Sequence, residues 1–297
     1  MIKKIVKYRN YYILLTPTLL IILVLYYLPY YGLQIAFKDF KIFLGVENSD
    51  WVGFKHFVDI FTSNKFPQVL VNTLKISFSH LIFGFPIPII FALLLNEVAH
   101  FKFKKLVQTV TYFPQFLSWV VFAGMVLDFF GPLGAVNSLI TGMGGEPVSF
   151  LTDPRYFISV LVMSASLKGF GWGAIVYLAS LSGIDKFLYD AATVDGAGKL
   201  RQLWHVTLPG LRSTIVLLLV LQISNILNAG FDQVFMLYNP AVLEVSDIID
   251  TYVYRVGLAG GQYEVATATG LFKGVVGLVL MTSANALSRK MEGTSIW

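Results

Sequence analysis

The sequence predicts an all-α integral membrane protein with six transmembrane helices, and three observations carry this prediction. Of its 297 residues, 56% are hydrophobic and 13% are charged, with a mean hydropathy of +0.70, whereas about a quarter of the residues of an ordinary soluble domain are charged. The apolar residues gather into six runs, each long enough to cross a bilayer. The Lys and Arg residues concentrate in alternate loops, as in membrane proteins with a fixed orientation.

Each predicted span is a run of about 20 mainly apolar residues, the length that an α-helix needs to cross the hydrocarbon core. The first run has Tyr11 and Tyr12 at one end and Tyr30 and Tyr31 at the other, as expected of aromatic residues at the two membrane interfaces. In chain order, the six predicted helices are Tyr12–Tyr31, Val69–Leu95, Val107–Phe130, Phe157–Leu181, Thr214–Tyr238 and Val265–Leu287.

The basic residues predict how these helices are oriented. Thirteen of the 22 Lys and Arg residues fall on the side that holds both termini, among them Lys3, Lys4 and Lys7, and six fall in the loops of the other side. Because basic loops tend to stay in the cytoplasm, the N- and C-termini are predicted to be cytoplasmic. The net charge of +5 then follows from membrane orientation, and no nucleic-acid partner is expected.

The segment after the first helix is too long to be a simple turn. Within it Phe54, Phe57, Val58 and Phe61 are spaced as one face of a helix, which predicts an amphipathic helix on the outer membrane surface or against the bundle. A small capping helix without a direct function is the alternative. We therefore expect two parts: residues 1–68, with the first helix and this external segment, and residues 69–297, a core domain with five helices and a cytoplasmic loop at 182–212.

The polar stretch between the fourth and fifth helices, Asp185–Pro209, is called the cytoplasmic segment. Its first part predicts a helix from Lys186 to Asp195 with Asp185 as N-cap, which Gly196 and Gly198 interrupt. Its second part predicts a helix over Lys199–Val206 that ends near Pro209. Each part has an apolar side, made of Leu188, Ala191 and Ala192 in the first and of Leu200, Leu203 and Trp204 in the second. Such a helix pair suits insertion into a groove of a partner, although a hairpin that packs only on its own bundle has the same pattern.

Several motifs of enzymes and metal sites are absent from the sequence. It has no cysteine, no G-x-x-x-x-G-K-[ST] loop, no H-E-x-x-H and no G-x-S-x-G, so P-loop binding of ATP and the chemistries of those motifs are not expected. The four histidines are scattered along the chain and are interpreted as structural. No catalytic or metal-ligating residue is predicted.

Polar residues inside the predicted spans need an explanation, because an unpaired polar group in hydrocarbon is costly. On the fifth span Gln222, Asn225, Asn228 and Asp232 form one stripe, which either lines a pathway for a hydroxylated substrate or makes interhelical hydrogen bonds. On the fourth span Lys168 lies near the midplane and should face a cavity or an acidic partner. Trp172, one turn later, could offer its ring to such a substrate. These six residues are the predicted substrate pathway.

The cytoplasmic segment resembles the EAA loop of ABC importer permeases. The matching residues are Asp190-Ala191-Ala192, Asp195-Gly196-Ala197 and Val206-x-Leu208-Pro209. Asp190 stands where the family has Glu, which keeps the charge and shortens the side chain by one methylene. In that family the loop docks in a cleft of the ATPase and transmits its closure. The resemblance therefore implies ATPase coupling for Tyr189, Asp190, Ala191, Ala192, Asp195, Gly196, Ala197, Leu208 and Pro209.

The resemblance covers almost the full chain and extends to permeases that import complex oligosaccharides. The matching motifs are Gly171-Trp172-Gly173, Tyr177-Leu178-Ala179, Asn239-Pro240-Ala241, Asp250–Arg255, Leu28-Pro29-x-Tyr31-Gly32 and Ala36–Asp39. It implies a MetI-like permease fold in a bacterial cytoplasmic membrane, with an oligo- or polysaccharide as cargo. The implied partners are a second permease subunit, two ATP-binding cassette subunits that hold ATP and Mg, and an extracellular or periplasmic solute-binding protein. This chain itself is then expected to bind no cofactor and to have no enzyme activity.

Two alternatives remain at this point. The same machinery could import a polyol or a phosphorylated polyol instead of a saccharide. In a different class, the chain could be an intramembrane enzyme or an assembly scaffold that uses Lys168 and Asp232, and it would then work without an ATPase partner.

Overall fold

The computed structural model describes residues 7–292, without the side chains of residues 291 and 292. In this part of the chain six helical stretches are long and apolar enough to cross a membrane: Arg9–Phe37, Phe66–Asn96, Trp119–Gly142, Pro154–Ser182, Lys199–Ser224 and Tyr263–Lys290. The predicted all-α architecture with six spans is confirmed. The cytoplasmic location of both termini stays a prediction, and two residues that support it, Lys3 and Lys4, lie outside the described residues.

The chain forms two compact units, one made of Met1–Asn64 and Val253–Gly274 and the other of Lys65–Tyr252 and Val275–Trp297. The expected division into residues 1–68 and 69–297 stays a prediction. In the first unit the elements are α1 (Arg9–Ile22), a π-helical turn (Leu23–Tyr27), a 3-10 helix (Leu28–Phe37), the antiparallel pair β1 (Lys38–Asp39) and β2 (Asp50–Trp51), and α2 (Lys55–Thr62).

The predicted external amphipathic helix is present as α2, but the side chains that it buries are not those of the predicted apolar face. Its buried residues are His56 and Ile60, and the His56 Nε2 atom lies 3.0 Å from the carbonyl oxygen of Lys38. Phe54, Val58 and Phe61 are largely exposed. The predicted apolar side chains still make ring contacts within this unit, Phe54 and Phe57 with Phe37 and Phe61 with Phe272.

The second unit contains most of the helices. They are α3 (Phe66–Ser79), α4 (Pro86–Asn96), α5 (Phe101–Tyr112), α6 (Trp119–Phe130), α7 (Ala135–Gly142), α8 (Pro154–Ser182), α9 (Lys186–Val194), α10 (Lys199–Gln202), α11 (Leu208–Ser224), α12 (Phe231–Leu237), α13 (Leu243–Ser246) and α14 (Ile249–Tyr252). A final helix, α15 (Tyr263–Glu292), begins in the first unit and ends in the second. A π-helical turn at His80–Gly84 follows α3 and leads to α4. A second π-helical turn, at Leu203–Thr207, connects α10 to α11.

Helix α8 is the central element of the second unit. It begins at Asp153, whose carboxylate accepts hydrogen bonds from the Arg155 side chain and backbone N–H; these bonds hold the pKa of Asp153 below its ordinary value. Its buried residues recur every three or four positions from Phe157 to Leu181, which is one continuous helix face. One end of this face packs in an apolar core with residues of α6 and α12, and the other packs with residues of α4 and α11.

Two predicted spans are not continuous helices. The third, Val107–Phe130, is interrupted between Tyr112 and Trp119 by a short 3-10 helix and two extended residues, because Pro114 has no N–H to donate to a helix. The candidate span of the structure therefore begins at Trp119. The fifth, Thr214–Tyr238, ends at Ser224, and the chain resumes as α12 only after Gly230.

Candidate functional sites: the cytoplasmic segment and a polar cavity

The cytoplasmic segment is a helix pair whose turn is fixed by its backbone. Asp185 is the N-cap of α9, and its Oδ1 atom accepts a 2.9 Å hydrogen bond from the Phe187 N–H, as predicted. At the other end Ala197 N–H donates to the Ala192 carbonyl at 2.8 Å and Gly196 N–H donates to the Thr193 carbonyl at 3.0 Å. This is the Schellman pattern of helix ends. It requires a left-handed residue, and Gly196 supplies it with a φ of +75°.

Side-chain hydrogen bonds hold the two helices of the segment together. The Gln202 amide donates to the Thr193 Oγ1 atom at 2.9 Å, and the Tyr189 hydroxyl lies 3.1 Å from the Thr207 Oγ1 atom. The predicted end of the second helix near Pro209 is wrong. A π-helical turn at Leu203–Thr207 carries α10 directly into α11, because a wider turn relieves the clash that the proline ring would make with the preceding carbonyls.

The motif residues of the segment face away from the rest of the chain. Asp190, Ala191, Asp195, Gly196 and Pro209 are exposed, and Tyr189, Ala192, Ala197 and Leu208 are half-buried. Helix α9 buries none of its residues. A hairpin that packs only on its own bundle would bury one side, so this arrangement favours a surface for a partner.

Large apolar side chains on the same segment are also exposed. Val194 is 87% exposed, Phe187 78%, Leu200 75% and Trp204 65%. Clustered apolar side chains on a polar loop are typical of a protein–protein contact. Hydrogen bonds fix the turn of the segment, and α9 buries none of its side chains in the bundle. The large apolar side chains of the segment are exposed instead.

A cavity lies in the second unit, and its mainly apolar wall carries a set of polar side chains. Its volume is about 610 Å³, which is within the range of ligand pockets. Helix α3 and the turn after it contribute Ser77 and His80, α8 contributes Ser166 and Tyr177, and Trp119 comes from α6. The end of α11 and the segment after it contribute Gln222, Asn225 and Asn228, and α12 contributes Gln233.

Three polar atoms at the cavity wall have unmet hydrogen-bonding capacity. Ser77 Oγ, His80 Nε2 and Ser166 Oγ are buried, and none has a hydrogen-bond partner among the described residues. All three residues line the cavity. Buried polar groups normally have a partner, so these atoms mark places beside the cavity where a water molecule or a rearrangement of the wall would complete the bonding.

The four residues of the predicted polar stripe do not lie on one continuous helix, so this part of the prediction is wrong. Three of them, Gln222, Asn225 and Asn228, still lie together in the cavity wall. Helix α11 ends at Ser224, and Asn228 N–H donates to the Asn225 carbonyl at 2.8 Å in the turn that follows. Gly230, with a φ of +83°, allows the chain to start α12. Asp232 lies in the first turn of α12, is exposed, and is not in the cavity wall.

Lys168 and Trp172 are not in the cavity wall either. The Lys168 Nζ atom donates to the carbonyl oxygens of Pro114, Gln115 and Leu117 at 3.1, 3.0 and 2.8 Å. The Trp172 ring packs edge-on against Phe116, with centroids 5.5 Å apart. The predicted carboxylate partner of Lys168 is thus replaced by backbone carbonyls, and the ammonium group is not available for chemistry with Asp232.

The sequence analysis missed Ser77, His80, Ser166 and Gln233. Ser77 and His80 lie three residues apart in an apolar run, a spacing that places both on one helix face, so this pair could have been found. Gln233 could not, since its amide donates to the Leu161 carbonyl and to Ser164 Oγ, 72 and 69 residues away.

Six candidate spans, a cavity between helices and an exposed helix pair at the ends of two of them suit a transport permease. The chain belongs to the family of binding-protein-dependent transport system inner membrane components, whose model matches residues 84–293. It is accordingly a multi-pass protein of the bacterial cytoplasmic membrane.

Relatives extend the similarity to the whole chain. Protein LplB of Bacillus subtilis is 45% identical over 282 residues, which are 95% of this chain and 89% of the relative. The polygalacturonan/rhamnogalacturonan transport system permease YteP of the same organism is 42% identical, covering 99% of this chain and 92% of the relative. A chain of a crystallised bacterial alginate ABC transporter, in complex with an alginate pentasaccharide-bound periplasmic protein, has a TM-score of 0.91, 40% identity and 99% coverage of both chains.

Proposed function

We propose that this chain is one of two permease subunits of an ATP-driven importer that moves an oligo- or polysaccharide delivered by an external binding protein. The proposal rests on the direct connection of the cytoplasmic segment to two helices of the cavity wall. The cytoplasmic segment, with its exposed coupling motif, is continuous at one end with α8 and at the other with α11, and both helices contribute residues to the cavity wall.

The geometry suits transmission of a movement from the cytoplasmic segment to the cavity. Near the segment, α8 and α11 are tied by a 2.8 Å contact between Ser180 Oγ and Thr214 Oγ1. A Cβ atom on Gly210 would lie 2.6 Å from the Ile184 side chain, so the start of α11 packs closely on the connection that follows α8. A push on the segment therefore moves the base of both helices together and changes the cavity at their other end.

The partners of the segment follow from its surface. Asp190 and the exposed apolar residues around it would dock on an ATPase subunit, and a second permease subunit would take the second ATPase. ATP and its Mg²⁺ would be held by those subunits, where hydrolysis supplies the energy of the cycle. The residues of this chain would supply only the docking surface and the mechanical link, and no enzyme activity is proposed for it.

The cargo proposal is supported by the cavity and by the relatives. Hydroxyl, amide and imidazole groups line the cavity, and these groups bond well to the hydroxyls of a sugar chain. One relative is named for polygalacturonan/rhamnogalacturonan, and one similar structure belongs to an importer of the acidic polysaccharide alginate. We therefore propose an acidic oligosaccharide, in preference to a polyol, as the cargo.

A binding protein is proposed as the donor of that cargo. The alginate transporter was crystallised with a periplasmic protein that carries an alginate pentasaccharide, and its permease chain matches this one over nearly its whole length. The external side of this chain would receive such a loaded protein. The sugar would then pass from the binding protein into the cavity without release to the outside.

The test uses the complete transporter, reconstituted in proteoliposomes with its binding protein and a labelled acidic oligosaccharide. Gly196→Val puts a β-branched residue at a φ of +75°, which costs at least about 1–2 kcal/mol in that conformation. Gly198→Val is the matched control, since the φ of Gly198 is −69°. We expect the Gly196 variant to lose ATP-dependent uptake and the control to keep most of it. Normal uptake and normal ATP hydrolysis in the Gly196 variant would rule out the coupling role.

A further inference from the structure

The break between α5 and α6 creates a local problem in the membrane bundle. After Tyr112 the chain makes a 3-10 helix, Phe113–Phe116, and Leu117 is extended with a φ of −73° and a ψ of 140°. Carbonyl groups at such a break have no donor within the helix. At membrane depth a non-helical backbone is tolerated only where protein or water satisfies it.

Lys168 satisfies this break from the neighbouring helix. It is at the centre of α8, fourteen residues after Pro154 in a helix of 29 residues, and its side chain is only 6% exposed. An ammonium group has three donors, and all three are used on the carbonyls of Pro114, Gln115 and Leu117. The same Nζ atom lies 5.5 Å from the ring of Trp119 and 5.8 Å from the ring of Phe122, within the range of cation–π attraction.

Two more residues of α8 hold the same break. A Cβ atom on Gly171 would lie 2.3 Å from the Thr111 carbonyl oxygen, so only glycine allows α8 to approach the end of α5 this closely. Trp172 packs on Phe116. Lys168, Gly171 and Trp172 lie within two turns of α8, and we call them the clasp.

The clasp acts on the cavity through Trp119. This residue follows the break directly, begins α6, and lines the cavity, while Ser118 caps α6 by accepting from the Val121 N–H at 3.3 Å. The position of the Trp119 ring in the wall therefore depends on where the break is fixed. We propose that Lys168 is a positioning residue for cargo passage: by fixing the break between α5 and α6, it sets Trp119 in the wall of the cavity.

This inference rests on the proposed role of the cavity as the cargo path, but it gives Lys168 a different task from a cargo ligand. A ligand must keep donors free for the sugar, whereas those of Lys168 are already used on the backbone. Loss of the ammonium group would remove the described donor of the Gln115 and Leu117 carbonyls, while the Pro114 carbonyl would keep the 3.2 Å bond from the Leu117 N–H. The break would then rearrange to find other donors. The Trp119 ring would move with it.

The first measurement is ¹⁹F NMR of the complete transporter with fluorinated tryptophan in this chain. Trp119→Phe identifies the resonance of Trp119 by its disappearance. Lys168→Arg keeps the charge but cannot direct three donors from one atom, and Lys168→Met keeps the length and removes the charge. We expect the Trp119 resonance to shift or broaden in both variants, while the Trp204 resonance of the cytoplasmic segment is unchanged. Lys75→Met, which alters an exposed lysine of α3, is the control.

The second measurement is uptake of the labelled acidic oligosaccharide by the same complexes. We expect Lys168→Met to lower the uptake rate at least tenfold, Lys168→Arg to restore part of it, and Lys75→Met to leave it within twofold. Because Lys168 acts through Trp119, the combination with Trp119→Ala should be no slower than the slower single variant. If Lys168→Met does not assemble, Lys168→Arg takes its place in both measurements.

Three results would overturn the proposal. They are an unchanged Trp119 resonance in the Lys168 variants, losses of uptake that multiply in the double variant, and a moved resonance with normal uptake. None of these results contradicts the proposed permease function, which is tested by uptake of the unsubstituted complex and of the Gly196→Val variant. Normal uptake in Trp119→Ala with a moved resonance in Lys168→Arg would instead show that the cavity is not the cargo path.

Discussion

The cytoplasmic segment and the cavity are attached to the same two helices, α8 and α11, but their chemistry is inverted. In the segment, which is largely polar in sequence, the apolar side chains of Val194, Phe187 and Trp204 are exposed. In the cavity, which lies within an apolar bundle, Ser77 Oγ, His80 Nε2 and Ser166 Oγ are buried and lack hydrogen-bond partners among the described residues. Each region has the groups that are unfavourable in its own surroundings.

The difference shows which kind of partner completes each region. Exposed apolar side chains are stabilised by another protein that removes them from water, and buried hydroxyl and imidazole groups are stabilised by a ligand or water that bonds to them. The backbone of the segment is fixed by the Schellman turn at Gly196, so it suits a rigid docking surface. The cavity is assembled from six of the described helices, α3, α4, α6, α8, α11 and α12, and can change its shape when two of them move.

The largest expected effect concerns docking. Val194→Asp places a charge at the most exposed apolar position of the segment, and we expect binding of the ATPase subunit to weaken by about 2 kcal/mol or more, as at interface hot spots. Leu133→Asp is the control, since Leu133 is equally exposed, at 96%, but lies outside the segment. Binding is measured by titrating ATPase subunits onto the permease in detergent. If both variants bind the ATPase subunit with equal affinity, the segment is not the docking surface.

An intermediate effect is expected in the cavity. The Asn225 Nδ2 atom donates to the Leu221 carbonyl and its Oδ1 atom accepts from Asn228, which leaves one N–H for the cargo. Asn225→Leu removes that donor, and the loss of one hydrogen bond, about 0.5–1.5 kcal/mol, should lower the uptake rate roughly two- to thirteenfold. Complex assembly should be unaffected. Asn96→Leu, at the exposed end of α4, is the matched control. Uptake by the Asn225 variant that matches the control would count against the cavity as the pathway.

The smallest effect separates two serines on α8 that are two residues apart. Ser164 Oγ accepts from the Gln233 amide at 2.8 Å, whereas Ser166 Oγ has no partner among the described residues. Ser164→Ala should lower the free energy of unfolding by about 1 kcal/mol. Ser166→Ala should leave it unchanged or raise it slightly, yet reduce uptake about twofold. Thermal unfolding and uptake are measured together, and a destabilised Ser166 variant with normal uptake would show that its hydroxyl is structural.

The sequence was most informative where function depends on local geometry. Asp185 as N-cap, Gly196 as the break and the spacing from Asp190 to Ala197 all lie within a few residues, and the structure has the predicted cap and turn. Predictions that assumed continuous helices were wrong at Pro114 and after Ser224, and the predicted helix end near Pro209 was wrong because a π-helical turn continues the helix there. A proline ends a helix, bends it, or is absorbed by a π-helical turn according to which neighbours supply donors, and these neighbours are far away in sequence.

The sequence by itself determined the membrane class, the number of candidate spans and the cap and turn of the cytoplasmic segment, because hydropathy and turn geometry are properties of short stretches. Only the tertiary structure decided the tasks of the polar residues within the spans. Lys168 and Gln222 are both polar residues in apolar runs, and nothing local separates them. One satisfies the carbonyls of a broken helix and the other faces the cavity, because hydrogen-bond partners in a membrane bundle come from other helices.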